Sequence, residues 1–429
     1  MNQILLITIS GRDQPGLTTA FAQVLAESGA AILDIGQAVI HDALALGLMV
    51  SVPDSSQNRL RIRRLEETIE DNGRKLGVAT HINRISEEQY KDWVRNQHKS
   101  RYTVTLLAPQ LSAAYVADVS SVFLRRGFNI DIMDRLSLRG SSQAIDEPRM
   151  CVEFTISGNA ADAGLRRELL MLADERDFDI AVQEDSIFRR NRRLIVFDMD
   201  STLIQMEVID ELASLAGVGE QVAAITAAAM RGELDFDSSF RQRLSLLRGL
   251  SASVLDEVAA RLPITPGAHR LMRTLRMLGF KTAILSGGFT CFARRLQQEL
   301  GFDFVYANEL GVSHGELTGS PVGEIINGKR KAELLELIAR QVGIVLEQTI
   351  AVGDGANDLP MLSIAGLGVA FHAKPSVRRN AKHSISIMGL DAVLYLLGLR
   401  DRHTERGYPS DMTTGDIRAA NSTEISLKW

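Results

Sequence analysis

LIVFDMDST, residues 194–202, runs four apolar residues straight into Asp198 and sets a second acid, Asp200, two positions on. An unbroken apolar run ending in a polar loop marks a strand buried on both faces of a parallel sheet, because a strand with one wet face would alternate. TAILSGG (282–288) and TIAVGDG (349–355) repeat the form, and LGVAF (367–371) adds another strand. Helical stretches intervene, so an open α/β sheet of Rossmann type is expected over 190–400. Ligands gather at the carboxyl ends of such strands. There the chain offers FDMDST (197–202), SGG (286–288) and GDGAND (353–358). An isolated DxD is most simply a solvated turn, but two buried-type strands ending in acids are not. Clustering Asp198, Asp200, Asp354 and Asp358 would be strongly repulsive without a divalent cation between them.

Upstream, the pattern is β-α-β-β-α-β, written twice. ILLITI (4–9) is a strand; Leu17, Ala20, Phe21, Val24 and Leu25 stripe a helix that Gly29 ends. Strands Ala31–Ile40 and Ala43–Val52 follow, turning at His41-Asp42. Ile62, Leu65 and Ile69 mark a second helix closing near Gly73, and Val78–Ile85 is the last strand. The second copy has strands at 102–107, 129–138, 150–156 and 179–183, with helices ending near Gly127 and Arg176. ILDI (32–35) is echoed by NIDI (129–132). Two ferredoxin-like units are expected, 1–88 and 100–185. Ser86–Arg101 between them reads as a linker or short helix, and 401–429 as a polar, disordered tail.

Composition excludes other classes. The chain has 429 residues, 45% of them hydrophobic and 24% charged, as in ordinary multidomain soluble proteins. Cys151 and Cys291 show no metal-ligand spacing, which suits a cytoplasmic protein. No stretch is long and apolar enough for a membrane span, and the first residues lack a signal peptide's basic start. A formal net charge of −5 argues against a nucleic-acid partner. Arg189-Arg190-Asn191-Arg192-Arg193 is accordingly read as the solvated flank of a linker. Cys291 and His314 are tied by no spacing, and His372 and His383 receive no role.

In this order DMDST, SGG, a lysine and GDGAND resemble the four motifs of the haloacid dehalogenase superfamily. Residues 194–395 resemble its phosphoserine phosphatase family, and the paired N-terminal units resemble ACT domains. The resemblance implies hydrolysis of O-phospho-L-serine to L-serine and phosphate, the last step of serine biosynthesis. Asp198 would attack phosphorus to give an aspartyl-phosphate, and Asp200 would protonate the departing serine oxygen and then take a proton from water. Dehalogenase relatives lack this second acid. The implied cofactor is Mg²⁺, held by Asp198, the backbone carbonyl of Asp200 and Asp354, with Asp358 supporting them. Ser286 and the Gly287 N–H would hold a phosphoryl oxygen, and Lys331 would neutralise the transferring group. Lys329 lies nearby, and only the family spacing selects Lys331.

The insertion over 203–262 is expected to form a helical cap. Within it, Glu207 and Arg243 match the positions that meet the substrate's ammonium and carboxylate, and Met230 and Phe236 match apolar cap positions; an ordinary core role for these two stays open. Asn357 would orient substrate or phosphate. GRDQPGL (11–17) resembles the loop by which ACT units receive an amino acid, with Asp13 and Gly16 near the ligand and L-serine as the effector. A plain turn with Asp13 capping the helix is the other reading. APQLS (108–112) in the second copy lacks both acid and glycine. A homodimer is expected, since ACT units associate edge to edge. Two rival functions are phosphoryl transfer to an alcohol or action on another small phosphomonoester, and an amino-acid sensor whose catalytic module is vestigial. The last conflicts with a site that has lost neither an acid nor the lysine.

Overall fold

The computed structural model describes residues 2–53, 58–97, 99–110, 112–138, 149–158 and 162–405. Contacts divide the chain into two compact units, Met1–Lys99 and Ser100–Trp429.

The first unit is a four-stranded antiparallel sheet in the order Ala31–Ile40, Ala43–Val52, Gln3–Arg12, Val78–Ile85. Leu5, Ile7 and Ile9 alternate onto the face covered by helices Leu17–Glu27 and Asn58–Leu76, against Phe21, Leu65 and Ile69. The second helix passes Gly73 and ends before Gly77, which has φ +67°. Gly73 serves close approach instead of termination: a Cβ there would meet Thr80 Cγ2 at 2.7 Å. Residues 87–96 form a helix, and Ser86 and Gln89 close a capping box at its start.

The second unit holds two sheets. One is antiparallel, in the order Phe128–Arg135, Met150–Gly158, Ser100–Ala108, Asp179–Glu184, with helices Ala113–Arg125 and Asp162–Glu175. The other has seven strands: Glu316–Val322, Phe304–Ser313, Lys281–Phe289, Leu194–Phe197, Thr349–Gly353, Leu367–Phe371 and His383–Ile385. All its pairings are parallel except the Phe304–Val322 hairpin. That hairpin and the His383–Ile385 strand extend the sheet beyond the apolar runs. Leu194–Phe197 sits centrally, and its neighbours on the two sides come from later in the chain, so the ligand crevice opens at its carboxyl end. Four helices, Val208–Leu215, Gly219–Met230, Phe236–Ser245 and Ser253–Ala259, stand between that strand and the next. The hairpin holds the link between the third and fourth of these helices: Gly249 N–H donates to the Leu317 carbonyl, Leu317 N–H to that of Leu250, and Ala252 N–H to that of Gly315.

The two sheets of this unit are joined by buried charge. Arg189 is 1% exposed and pairs with Glu153 of the antiparallel sheet; Arg192 is 6% exposed and donates to the carbonyls of Glu347 and Thr349 and to Gln183 Oε1. Two members of the basic run, Arg189 and Arg192, are therefore a staple because acceptors from elsewhere in the unit meet their guanidinium groups, while Arg190, Asn191 and Arg193 stay exposed as the solvated flank expected. Asp179 Oδ2 accepts from Ser386 and Ile387 N–H at 2.7 and 2.9 Å. Order also passes Arg400. Asp401–Glu405 is helical, and the buried Asp401 accepts from Tyr395, Arg270 and Leu138 N–H. That corrects the expected start of the tail; its remainder, 406–429, lies outside the described residues.

Arg189→Ala would strand Glu153 without its partner. The expected loss is about 3–5 kcal/mol of stability, read by chemical denaturation, whereas Arg74→Ala, which removes an exposed pair with Asp71, should change little. Equal effects would refute the staple.

Candidate active site

Three adjacent strands deliver the acids and the phosphate-type loop to one place. Asp198 follows the Leu194–Phe197 strand, and its N–H donates to the Val352 carbonyl of the neighbouring strand at 2.9 Å. Lys331 Nζ lies 2.9 Å from Asp198 Oδ1 and 2.6 Å from Asp358 Oδ1. Met199 N–H donates to the same Oδ1 at 2.7 Å. Lys331 stands one turn into helix Gly328–Gln341, which Asn327 caps through its bond from Arg330 N–H. Its ammonium is wholly buried, while Lys329, two positions earlier, is 87% exposed and pairs with Glu333. Two residues on a helix point to roughly opposite sides, so the fold itself separates these lysines.

Asp200 Oδ1 accepts from Val208 N–H at 3.2 Å, at the entry to the first inserted helix. Glu207, one residue before that helix, accepts from Ser201 Oγ–H at 2.7 Å. Thr202 Oγ–H donates to Asp354 Oδ1 at 3.2 Å, and Asp358 Oδ2 accepts from Gly355 N–H at 2.9 Å. One carboxylate oxygen each of Asp198, Asp354 and Asp358 lies within 4.8 Å of the others. An all-oxygen set of carboxylates, two buried and Asp354 half-buried, fits a hard divalent cation. Gly353 is required here: a Cβ would collide with the Asp358 carboxylate.

Burial pushes the carboxyls up. It raises Asp198 well above the usual range, with the Asp358 charge adding to it, and raises Asp200 likewise, with Glu207 adding. Asp354 is pushed up to about 7 by burial, then by Asp358 and Glu207. Burial works against the Lys331 ammonium, but Asp198 and Asp358 outweigh it and hold Lys331 above its ordinary value. The pocket thus has more buried acid than base to balance it.

A cavity of about 660 Å³ opens over this cluster. Asp198, Asp200, Glu207, Arg243, Gly287 and Asn357 line it, bringing together residues far apart in the chain. Ser286 is fully buried beside it, and its Oγ accepts from Gly288 N–H at 2.8 Å. Phe236 packs on Gly287, whose added Cβ would meet Phe236 Cζ at 3.0 Å, and stacks on Phe240 at 6.1 Å. Met230 is largely exposed, and its Sδ lies 3.6 Å from Lys374 Nζ on the rim. Arg243 Nε, Ser239 Oγ and Thr226 Oγ1 all belong to lining residues, are buried, and have no hydrogen-bond partner among the described residues. Buried polar atoms in a native fold are nearly all paired, and these three belong to residues of one cavity. Ser239 and Thr226 are absent from the sequence reading; the available signal is helical spacing, four before Arg243 and four before Met230. Cys291 lies on helix Thr290–Leu300 and His314 at the hairpin turn, so no thiol–imidazole pair forms.

The first unit has a second hollow of about 320 Å³, lined by Asp13, Gln14, Gly16, Thr18 and Gln37. Gly16, at φ +94°, occupies the cap position of helix Leu17–Glu27, and no side chain caps it. The reading of Asp13 as a helix cap is therefore wrong: the glycine turn leaves that carboxylate lining the hollow. In the second copy Ser112 does cap, accepting from Ala114 N–H at 3.1 Å.

Residues 192–366 match the family model of haloacid dehalogenase-like hydrolases, and residues 3–83 that of the ACT domain. A phosphoserine phosphatase of Mycobacterium tuberculosis is 41% identical over 425 residues, 99% of this chain and 97% of the relative. One of Streptomyces coelicolor is 41% identical over 402 residues, 94% of this chain and 93% of that one. A solved structure of a probable phosphoserine phosphatase from Vibrio cholerae, unliganded, matches with a TM-score of 0.56 at 36% identity, covering 71% of this chain and 87% of that one.

Proposed function

This chain belongs to the phosphoserine phosphatases among the haloacid dehalogenase-like hydrolases, and from that premise we propose how its residues divide the hydrolysis of O-phospho-L-serine. One observation carries the assignment. A single cavity holds a buried carboxylate pinned by a buried lysine, together with a buried guanidinium and two hydroxyls that lack partners. A phosphomonoester with a zwitterionic tail supplies groups for both sets. Arg243 takes the substrate carboxylate, with Ser239 and Thr226 beside it, and Glu207 takes the ammonium. Ser286, the Gly287 N–H and Lys331 take the phosphoryl oxygens, and Asn357 orients the group from the last loop. Phe236 and Met230 cover the bound substrate and exclude water.

Both protein donors to Asp198 converge on Oδ1, so we assign Oδ2 as the attacking oxygen. It forms a bond to phosphorus as the ester P–O bond breaks, giving an aspartyl-phosphate. Asp200 gives its proton to the leaving serine oxygen; burial, by raising its pKa, favours the protonated form this step needs. Asp200 then takes a proton from the water that cleaves the aspartyl-phosphate. We assign the cation as Mg²⁺, held by Asp198, the Asp200 main-chain carbonyl and Asp354. Asp358 stands behind them because its oxygens already accept from Lys331 and Gly355. When bound, the ion offsets the excess of acid and polarises a phosphoryl oxygen.

The hollow at Asp13 and Gly16 is the site we assign to a free amino acid, L-serine, as effector. The apolar residues exposed on the edge strand Ala31–Ile40, Ile35 and Ile40 among them, support assembly as a homodimer. The enzyme is read as cytoplasmic; no described helix is long and apolar enough to cross a membrane.

Phosphate release from phosphoserine should vanish in Asp198→Asn and after EDTA dialysis, returning with added Mg²⁺; full activity in the variant would sink the nucleophile. Arg243→Ala should lose about 1.5–3 kcal/mol of transition-state binding, roughly 10- to 150-fold in kcat/KM, and show a raised KM for phosphoserine but not for a phosphoester without a carboxylate. For the effector, equilibrium dialysis should show Asp13→Ala losing L-serine bound outside the catalytic cavity; unaltered binding in the variant refutes that site.

A further inference from the structure

Strands Lys281–Phe289 and Phe304–Ser313 pair in parallel with Leu285 opposite Tyr306, and then Phe289 opposite Asn308. Four steps on one strand match two on the other, so Ser286, Gly287 and Gly288 are thrown out of the ladder as a bulge. Buried backbone outside a ladder needs other partners. The Gly287 carbonyl accepts from Asn308 Nδ2–H at 2.8 Å, while Gly288 N–H donates to Ser286 Oγ at 2.8 Å. Both ends of one peptide group are held.

Space dictates the glycines. A Cβ on Gly288 would run into the Asp200 and Met199 side chains, and one on Gly287 into Phe236. Glycine also leaves its backbone freer to rotate than any other residue, so another group must fix the peptide. Asn308 is 2% exposed and is not among the residues that line the cavity. Its Oδ1 accepts from Ile326 N–H at 2.8 Å, in the loop just ahead of the helix that bears Lys331. The amide can face only one way, since a flip would set oxygen against the Gly287 carbonyl and NH₂ against the Ile326 N–H.

We propose that Asn308 is the positioning residue for phosphoryl recognition. By fixing the Gly287–Gly288 peptide it keeps Gly288 N–H on the Ser286 oxygen, which leaves the Ser286 hydroxyl hydrogen free to donate, and it limits the rotation at Gly287 that would turn the preceding peptide's Gly287 N–H away. Through Ile326 the same side chain ties this loop to the approach of the Lys331 helix. The proposal rests on Ser286 and Gly287 being the phosphoryl donors.

The test uses the full-length protein and two variants, Asn308→Ala and Asn308→Asp. The aspartate is isosteric and keeps the acceptor for Ile326 N–H, but sets an oxygen in place of the donor to Gly287; the alanine removes both bonds and brings no charge. Binding is measured with orthovanadate plus Mg²⁺, which occupies the phosphoryl position, and separately with L-serine at the Glu207–Arg243 end of the catalytic cavity; phosphoserine kinetics accompany both. Vanadate affinity and kcat should fall about 10- to 100-fold, less than the roughly 100- to 1000-fold cost of deleting a transition-state donor because the donors are misaimed and not removed, with L-serine affinity at that end unchanged. Unchanged vanadate affinity in a folded Asn308→Asp variant overturns the proposal, and so does a parallel loss of vanadate and serine binding, which would mean general damage to the site. Ser286→Ala separates the two levels: if it binds vanadate like the wild type, the donor assignment itself has failed, and if it is weakened while Asn308→Asp is not, only the role of Asn308 has failed.

Discussion

One buried ammonium stands among more buried carboxyls than it can balance, and much of the catalytic unit follows from that imbalance. Lys331 contacts Asp198 and Asp358 directly, and Asp200, Asp354 and Glu207 share the same cavity. Such a cluster survives only with a protein rigid enough to hold it and with charge supplied from outside. Rigidity comes from strand ends locked between apolar layers, from Asn327 capping the lysine's helix, and from glycines where any side chain would displace an acid. A cation held by the Asp198, Asp354 and Asp358 carboxylates would supply charge of the required sign. Binding and chemistry therefore draw on one electrostatic deficit.

The strand-end acids were legible because buried parallel strands leave a periodicity anyone can count. LIVF, TAIL and TIAV are apolar runs stopped by polar loops, and the loops hold the chemistry. The Phe304–Val322 hairpin leaves no such trace: its strands are partly exposed and mixed in character. Asn308 is a lone amide on that hairpin, and its meaning lies 21 positions back at Gly287. Ser239 and Thr226 are small hydroxyls of a kind that fills any helix. Their distinction is a missing partner, which only three dimensions reveal.

Charge was the misleading signal. Arg189 and Arg192 look like solvent-facing residues in a run of basic side chains, yet they are among the best buried in the chain. Glu153 belongs to the antiparallel sheet, whereas the carbonyls at 347 and 349 lie at the start of a strand of the other sheet and in the turn before it. Asp401 misled in the same way, sitting in a polar stretch yet buried against Tyr395 and Arg270. Together these residues make the second ferredoxin-like sheet part of the catalytic body in packing terms, while residues 1–99 keep a core of their own.

The hairpin has a mechanical consequence. One of its strands carries Asn308, and the turn and returning strand hydrogen-bond the link between the third and fourth inserted helices, at Gly249, Leu250 and Ala252. The cap is thus tied to the hairpin by main-chain bonds, while at the end of its second helix Met230 Sδ lies 3.6 Å from Lys374 Nζ. Cap segment and phosphate-type loop therefore rest on one hairpin, so a change that shifts its strands displaces both at once.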